Sequence, residues 1–217
     1  MIKRILLRIL LVLGLVIAVL AANLILFNIM AAKVSEGEPI ENRDPDQVAL
    51  LVIDIQEGTT GGTSALKSLV AQSEELIRNT NKVIEGAGSS DQLIVYVRTE
   101  VVNPLLNVLN NTMARGTEGA ELDHRLLVKE GPVIVKHRND AFQGTELDRI
   151  LAEHRVSRLV VVGLDASQCV RTTVVAAHNR GYRVSLVQEA VISKTEELKD
   201  QAFNEFRNMG VEILSLD

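Results

Sequence analysis

The stretch "LVVVGLDASQCVRTTVVAAHNRGYRVSLVQ", from Leu159 to Gln188, decides the fold because its pattern predicts a strand, a turn, a helix and a second strand. Both ends are apolar and rich in β-branched residues, which is typical of strands buried on both faces. The segment between them, Gln168–Asn179, has its apolar residues at helical spacing. A strand, a helix and a strand in this order predict a right-handed crossover within a parallel sheet.

The same alternation continues on both sides of this unit. The runs that predict strands are Val48–Asp54, Leu93–Arg98, Val133–Lys136, Leu159–Gly163, Val184–Gln188 and Val211–Leu216. The segments with helical spacing are Ser64–Glu85, Thr145–His154, Gln168–Asn179 and Thr195–Asn208. Alternating strands and helices predict an α/β fold, a three-layer αβα sandwich whose mostly parallel sheet has about six strands.

The first 32 residues differ in composition from the rest of the chain. Three basic residues stand at their head, and the run Ile9–Ala32 contains no charged side chain. A membrane-spanning helix needs roughly 20 predominantly apolar residues, so this run predicts an N-terminal transmembrane helix ahead of the globular part. A cleaved signal sequence is the alternative, although its apolar region is usually shorter, about 7–15 residues.

The flanks of the apolar run predict its orientation. Lys3, Arg4 and Arg8 precede it, and a net acidic segment follows. The positive-inside rule therefore places the N-terminus in the cytoplasm and the globular part on the other side of the membrane, or outside the cell after cleavage of a signal. Residues 33–47 are polar and contain Gly and Pro, which predicts a linker. The predicted division is residues 1–32, 33–47 and 48–217.

Composition excludes several classes of protein. The chain has 217 residues, of which 47% are hydrophobic, enough for one substantial core. The net charge is −5 and aromatic residues make up 3%, with no basic stripe, so nucleic-acid recognition is not expected. The single cysteine, Cys169, cannot form an intramolecular disulfide.

Reactive side chains follow three of the predicted strands. Asp54 ends the first strand, Lys136 ends the third, and Cys169 comes just after the fourth, at the beginning of a predicted helix. Alone, each has an ordinary explanation as a turn residue, a solvated amine or a buried thiol. Ligands of open α/β sheets bind beyond the carboxyl ends of the strands, where these three residues would meet. Their combination therefore predicts an active site.

These three side chains can perform acyl transfer through a thioester. The thiolate is the reactive form of cysteine, and both a helix N-terminus and the Lys136 ammonium favour it. Asp54 can accept the thiol proton and pass it to a leaving amine. Backbone N–H groups near Cys169 would stabilise an oxyanion.

Four stretches, in the same order, resemble the isochorismatase-like cysteine hydrolase superfamily, which includes nicotinamidases and N-carbamoylsarcosine amidases. They are "ALLVIDIQ" (49–56), "GTEGAEL" (116–122), "VIVKHRNDAFQGTELDRIL" (133–151) and "VVVGLDASQCVRTTVVAAHNRGYRV" (160–184). The resemblance spans residues 48–217. It implies hydrolysis of a small amide or related C–N bond, with Asp54 as general acid/base, Lys136 stabilising the thiolate and Cys169 as nucleophile.

The resemblance implies further features of the site. The Leu164–Asp165 peptide bond would be cis, and the N–H groups of Asp165 and Cys169 would form the oxyanion hole. Gln56 and Phe142 would line the substrate pocket. The Asp-x-His metal site of nicotinamidases has no counterpart among the four histidines, so neither a metal nor a cofactor is expected. The partners implied are a small-molecule substrate, the membrane and, by analogy, a second copy of the chain.

Two alternatives from other classes remain open. A strand, the Gly-rich loop Gly58–Gly62 and a helix form a layout that binds phosphates, although the loop lacks the Lys of a Walker A motif. The domain could instead serve as a tethered binding module without turnover. The presence of Asp54, Lys136 and Cys169 together favours the enzyme.

Overall fold

The computed structural model describes residues 2–40, 47–110 and 112–216. One sheet contains six strands in the order β3-β2-β1-β4-β5-β6, and every pairing among them is parallel. The strands are β1 Val48–Ile53, β2 Leu93–Thr99, β3 Val133–Lys136, β4 Arg158–Gly163, β5 Arg183–Val191 and β6 Glu212–Leu214. This confirms the predicted α/β fold and its sheet of about six strands.

Six α-helices accompany the strands in the described part of the chain. They are α1 Ile2–Ala31, α2 Lys67–Ser89, α3 Pro104–Leu109, α4 Leu147–Glu153, α5 Arg171–Asn179 and α6 Glu196–Asn208. Helices α4, α5 and α6 pack on one face of the sheet together with Leu51 and Ile53 of β1. Helix α2 packs on the other face with Leu50 and Val52. Because β1 supplies side chains to both cores, its sequence is apolar without alternation.

The strand order reverses its direction at the centre of the sheet. From β1 the chain continues through β2 and β3 to one side, and β4, β5 and β6 extend the other side. The crevice at such a reversal, beyond the carboxyl ends of the strands, is where open α/β sheets bind ligands. Asp54 follows β1 and Cys169 follows β4, so the two residues flank this position.

Two elements differ from the sequence-based expectation. Helix α3 lies within a segment for which no helix is predicted, and the Asn103 side chain caps it by accepting from the N–H groups of Leu105 and Leu106. Residues Ala166–Val170 form a π-helical turn, and α5 begins only at Arg171. Cys169 therefore lies in this π-helical turn rather than in the first turn of an α-helix.

Helix α1 is long and apolar enough to cross a membrane over Lys3–Ala31. The residues after it do not form a free linker. The Ser35 N–H and hydroxyl donate to Asp140 Oδ2 at 2.8 and 2.6 Å, and the Ile40 N–H donates to the Arg180 carbonyl at 2.8 Å. Val34 and Ile40 pack against the core. We call 34–40 the docked segment. The remainder of the predicted linker, 41–46, lies outside the described residues.

Candidate active site

Asp54 occupies the sharp turn that follows β1. Its φ of 55° is in the left-handed region, which is uncommon for any residue other than glycine. The Thr59 hydroxyl donates to the Asp54 carbonyl at 2.6 Å, and the Asp54 N–H donates to the Val97 carbonyl at 2.8 Å. Non-glycine residues held in such conformations cluster at functional sites. The turn fixes the Asp54 carboxylate at the carboxyl end of the sheet.

Lys136, the last residue of β3, joins the other two predicted residues. Its side chain is fully buried, and its Nζ lies 2.9 Å from Asp54 Oδ2 and 3.2 Å from Cys169 Sγ. The same Nζ donates to the Arg138 carbonyl at 3.1 Å. The Asp54 carboxylate and the Cys169 thiol thus both contact the Lys136 ammonium, although the three residues lie at or beyond the ends of separate strands. The structure brings Asp54, Lys136 and Cys169 together as the spacing of the strands predicts.

Thr99, which the sequence analysis does not single out, completes this group. Its hydroxyl accepts from Lys136 Nζ at 2.6 Å and donates to Asp54 Oδ1 at 2.9 Å. Thr99 is the last residue of β2, which lies between β1 and β3 in the sheet. The strand predicted from the sequence ends at Arg98, one residue earlier. The rule that points to strand ends would have identified Thr99 had the boundary been known.

Gln56 holds Thr99 in place instead of facing the thiol. Its side chain is fully buried, and Nε2 donates to the Thr99 carbonyl at 3.0 Å and to the Ala120 carbonyl at 2.8 Å. Its Oε1 accepts from the Thr99 N–H at 2.7 Å. These bonds use both ends of the amide group. The structure therefore gives Gln56 a positioning role and no exposed surface in a substrate pocket.

Phe142 lies in the hydrophobic core. Its ring packs 6.0 Å from the ring of Tyr182, and the Arg180 guanidinium carbon lies 4.3 Å from its centroid. Only 3% of the residue is exposed. These contacts support the fold around α5, so Phe142 does not offer a surface to substrate in this structure.

The thiol is neutral in the resting site. Burial raises the pKa of Cys169 to about 12, the Asp54 carboxylate adds to this increase, and the Lys136 ammonium opposes it. Burial also disfavours the charge on Lys136, but Asp54 and the cysteine outweigh burial and raise the pKa of that ammonium. Lys136 favours the thiolate, as expected, but burial and the Asp54 carboxylate outweigh it, and the thiol stays protonated. Burial is the largest cause of the raised pKa of Cys169, and the Asp54 carboxylate adds to it because it disfavours a second negative charge.

The turn that carries Cys169 is fixed by Asp165. The Leu164–Asp165 peptide bond is cis, at the position that the resemblance implies. Asp165 Oδ1 accepts from the Ser167 N–H at 2.8 Å and from the Ser193 hydroxyl at 2.5 Å. The Asp165 carbonyl accepts from the N–H groups of Gln168 and Val170 at 2.9 and 3.1 Å. The carboxylate of Asp165 thus binds its own turn to Ser193, two residues beyond β5, a contact that no sequence pattern indicates.

The Gly-rich loop after β1 is filled by protein groups. The Gly58 N–H donates to the Gly119 carbonyl at 2.9 Å, and the Gly62 N–H donates to Glu57 Oε2 at 3.2 Å. A Cβ on Gly61 would collide with the same Glu57 oxygen. A phosphate-binding loop needs free backbone N–H groups, and here the Gly62 N–H is taken by the Glu57 carboxylate and the Gly58 N–H by a carbonyl. The nucleotide-binding alternative receives no support from this loop.

Glu57, Asp123 and His124 offer ligand atoms that lie within 4.8 Å of one another. Both carboxylates already have protein partners. Glu57 Oε1 lies 2.6 Å from His124 Nδ1, and Arg125 donates to Asp123 Oδ2 at 2.7 Å. The hydrogen bonds to Arg125 keep the pKa of Asp123 low although burial opposes this. The arrangement is explained by these contacts, which tie the Gly-rich loop to residues 123–125.

Comparisons with known proteins agree with one another. Residues 48–217 match the family model described as the isochorismatase domain. An uncharacterized isochorismatase family protein of Bacillus subtilis is 31% identical over 156 residues, which are 70% of this chain and 82% of the relative. The nicotinamidase of Escherichia coli is 24% identical over 205 residues, 77% of this chain and 94% of the relative. The crystal structure of N-carbamoylsarcosine amidase from Thermoplasma acidophilum matches with a TM-score of 0.67 and 29% identity, covering 78% of this chain and 96% of that one.

Proposed function

Because the chain belongs to the isochorismatase family, we propose that it hydrolyses a small amide or a related C–N bond through a thioester on Cys169. The observation that carries this proposal is the position of Lys136 Nζ, 2.9 Å from Asp54 Oδ2 and 3.2 Å from Cys169 Sγ. Its relatives include an N-carbamoylsarcosine amidase and a nicotinamidase, both of which act on C–N bonds.

The neutral thiol determines the first proton transfer. As Cys169 Sγ forms a bond to the substrate carbonyl carbon, the S–H proton passes to Asp54 and the carbonyl oxygen becomes an oxyanion. When the C–N bond breaks, the leaving amine takes this proton from Asp54 and the thioester remains. Water then attacks the thioester and gives a proton to Asp54, which returns it to sulfur as the acid product leaves.

The Lys136 ammonium lies beside both groups that carry negative charge during the reaction, the Asp54 carboxylate and the Cys169 sulfur. Before attack the ammonium pairs with the Asp54 carboxylate, and when Asp54 takes the proton the ammonium faces the attacking sulfur. Its position between the two atoms supports a role in stabilising developing thiolate character. Thr99 holds both charged groups by accepting from one and donating to the other.

The oxyanion would be bound by the N–H groups of Asp165 and Cys169. Asp165 caps the π-helical turn Ala166–Val170 that contains Cys169, so both residues belong to one compact turn. The bonds of Asp165 Oδ1 to Ser167 and Ser193 support this role, because preorganised donors stabilise charge without rearrangement.

The test is a screen of small amides, ureas and carbamoyl compounds on the full chain. We expect turnover and an acyl adduct on Cys169 by mass spectrometry, and we expect Cys169→Ala to lose both while its thermal unfolding is unchanged. Turnover in Cys169→Ala would contradict the thioester. Binding without turnover by the unsubstituted chain across the whole panel would instead indicate the tethered binding module.

The proposal includes anchoring by α1, with the N-terminus in the cytoplasm and the domain across the membrane. The helix exposes large apolar side chains on all sides, and its basic residues lie at the N-terminal end. We expect the chain to resist alkaline extraction from membranes and to keep its full mass. A soluble product that begins within residues 18–30 would indicate signal cleavage instead.

A further inference from the structure

The C-terminal half of α1 contacts the globular domain beside the candidate nucleophile. Asn23 Oδ1 accepts from Asn103 Nδ2 at 3.1 Å, and the Ala31 carbonyl accepts from the Asn139 N–H at 3.0 Å. Asn139 Oδ1 in turn lies 3.8 Å from Cys169 Sγ. A single residue therefore separates the end of α1 from the thiol.

The segment that meets Asn23 carries no charge and exposes some of its apolar side chains. No charged residue occurs between Glu100 and Arg115. Val102 is 51% exposed and Val108 is 84% exposed, the latter more than any other large hydrophobic side chain in the described part of the chain. We call Val101–Val108, which includes most of α3, the apolar rim. Exposed apolar patches of this kind mark sites of interaction.

The length of α1 indicates where this rim would lie. Its 30 residues span about 45 Å, whereas the hydrocarbon core is about 30 Å thick. If the hydrocarbon core begins after Arg8, the roughly 20 residues needed to cross it end at Asn28, which then marks the other boundary. Asn23 then lies about 7 Å inside that boundary, and Asn103 is hydrogen-bonded to it.

The bond between Asn23 and Asn103 agrees with this depth. A polar side chain within a membrane is costly unless it has a partner, and Asn23 has one on the globular domain. Interfacial helices bury their apolar face about 5–10 Å into the boundary between headgroups and acyl chains. The depth deduced from α1 falls in this range.

We propose that the apolar rim is a second membrane contact, which inserts into the bilayer that α1 crosses and holds the candidate active site at its surface. This inference rests on the anchoring proposed above. The partner is the lipid of that bilayer, because the rim is continuous with α1 through Asn23 and Asn103 and carries no charge. The geometry makes α3 and α1 neighbours in one surface that faces the membrane.

Single-tryptophan fluorescence tests this proposal, since the chain contains no tryptophan. Val108→Trp reports on the rim, and its side chain is too exposed for the change to disturb packing. Val133→Trp, at a position 48% exposed at the amino end of β3, is the control, because the rim follows the carboxyl end of the neighbouring strand β2. Leu15→Trp, at a position 65% exposed in the middle of α1, reports on the anchor itself.

Each full-length variant is reconstituted in phosphatidylcholine vesicles with bromine either near the headgroup or near the chain ends. We expect Val108→Trp emission to shift to shorter wavelength and to be quenched most by the shallow bromine, Leu15→Trp to be quenched most by the deep bromine, and Val133→Trp to remain unquenched. Quenching of Leu15→Trp without quenching of Val108→Trp would overturn the rim contact alone.

Other outcomes separate the remaining explanations. No quenching of Leu15→Trp would overturn both the anchor and the inference that rests on it. A blue-shifted Val108→Trp that no bromine quenches would show that protein, not lipid, covers the rim, and would overturn the membrane contact.

Discussion

The chemistry of the site depends on how a few side chains share charge. Asp54 and Lys136 form an ion pair whose members are almost completely shielded from solvent, and the thiol of Cys169 lies against it. A buried charge requires a close partner, and here each charged group has one. Because the raised pKa of Cys169 leaves the sulfur protonated at rest, the thiol proton must move when substrate is attacked.

Asp54→Asn separates the effect of the carboxylate charge from that of its shape. Asparagine tolerates the left-handed backbone that Asp54 adopts, so the fold should survive the change. We expect the pKa of Cys169 to fall below its value of about 12, because a negative neighbour is removed, and we expect turnover to be lost because no group carries the proton. Thiolate absorbance against pH measures this pKa once the curve of the matching Cys169→Ala variant is subtracted, because the chain has one cysteine and two tyrosines that also titrate at alkaline pH.

Lys136→Met is the matched variant for this titration. The Lys136 ammonium lowers the pKa of Cys169, so its removal should raise that pKa, whereas Asp54→Asn should lower it. An unchanged thiol titration in Asp54→Asn would show that the carboxylate does not control the sulfur.

Thr99→Val removes the hydroxyl that bridges Asp54 and Lys136 while keeping the volume of the side chain. We expect kcat to fall with KM nearly unchanged, because Thr99 acts through the two charged groups and is not itself a catalytic residue. Leaving buried polar groups without a partner should also lower the free energy of unfolding by about 1–3 kcal/mol. Steady-state kinetics and urea unfolding measure the two effects.

Thr99→Ser restores the hydroxyl and serves as the control for that substitution. It should recover most of kcat. Equal losses in the serine and valine variants would point to packing of the methyl group instead of the bridge.

At the scale of elements, the strands were predictable because burial on both faces shows directly in the local sequence. Strands buried on both faces must be continuously apolar, so β1, β4 and β5 stand out in the sequence, and the residues that follow them fall at one edge of the sheet. Helix α3 has only six residues, too few for a period of 3.6 to show, although Asn103–Pro104 is a capping pair.

Side-chain direction was not predictable from the same patterns. Gln56 bonds to backbone groups of Thr99 and Ala120, which are 43 and 64 residues away along the chain. Nothing local distinguishes such a buried amide from one that faces a pocket. The neutral thiol was not predictable for a related reason, since the pKa of Cys169 depends on its burial and on how close Asp54 comes in the folded state.

The docked segment gives a prediction at this scale. Arg180 donates to the carbonyls of Ser35 and Glu36, both at 3.3 Å, and its guanidinium pairs with Asp148 at 2.8 Å. Arg180→Met keeps the apolar stem and removes these bonds, so residues 34–40 should detach and be cleaved faster in limited proteolysis. Arg78→Met on the exposed face of α2 should leave the cleavage rate unchanged. Equal protection in both variants would show that the other contacts suffice.

At the scale of the whole molecule, the site couples stability to pH. An unfolded chain releases the thiol proton near the ordinary pKa of about 8.5, whereas the pKa of Cys169 in the folded chain is about 12. Between these values the unfolded state binds fewer protons than the native state, so the free energy of unfolding falls as pH rises. Lys136, whose pKa is also raised, adds to this fall at the alkaline end.

Urea unfolding from neutral to alkaline pH measures this dependence. Cys169→Ala removes the titrating thiol, so its stability should decline less steeply over the same interval. Parallel curves for the two proteins would show that the thiol has the same affinity for its proton in both states.

The raised pKa of Cys169 also affects how long the protein survives outside a reducing compartment. Peroxides and alkylating agents react with the thiolate, and a sulfur that stays protonated is a poor target for them. With no second cysteine to rescue a sulfenic acid as a disulfide, damage at this position would accumulate with age. Burial of the thiol, together with the neighbouring Asp54 carboxylate, therefore keeps the nucleophile protonated until an acyl group is there to receive it.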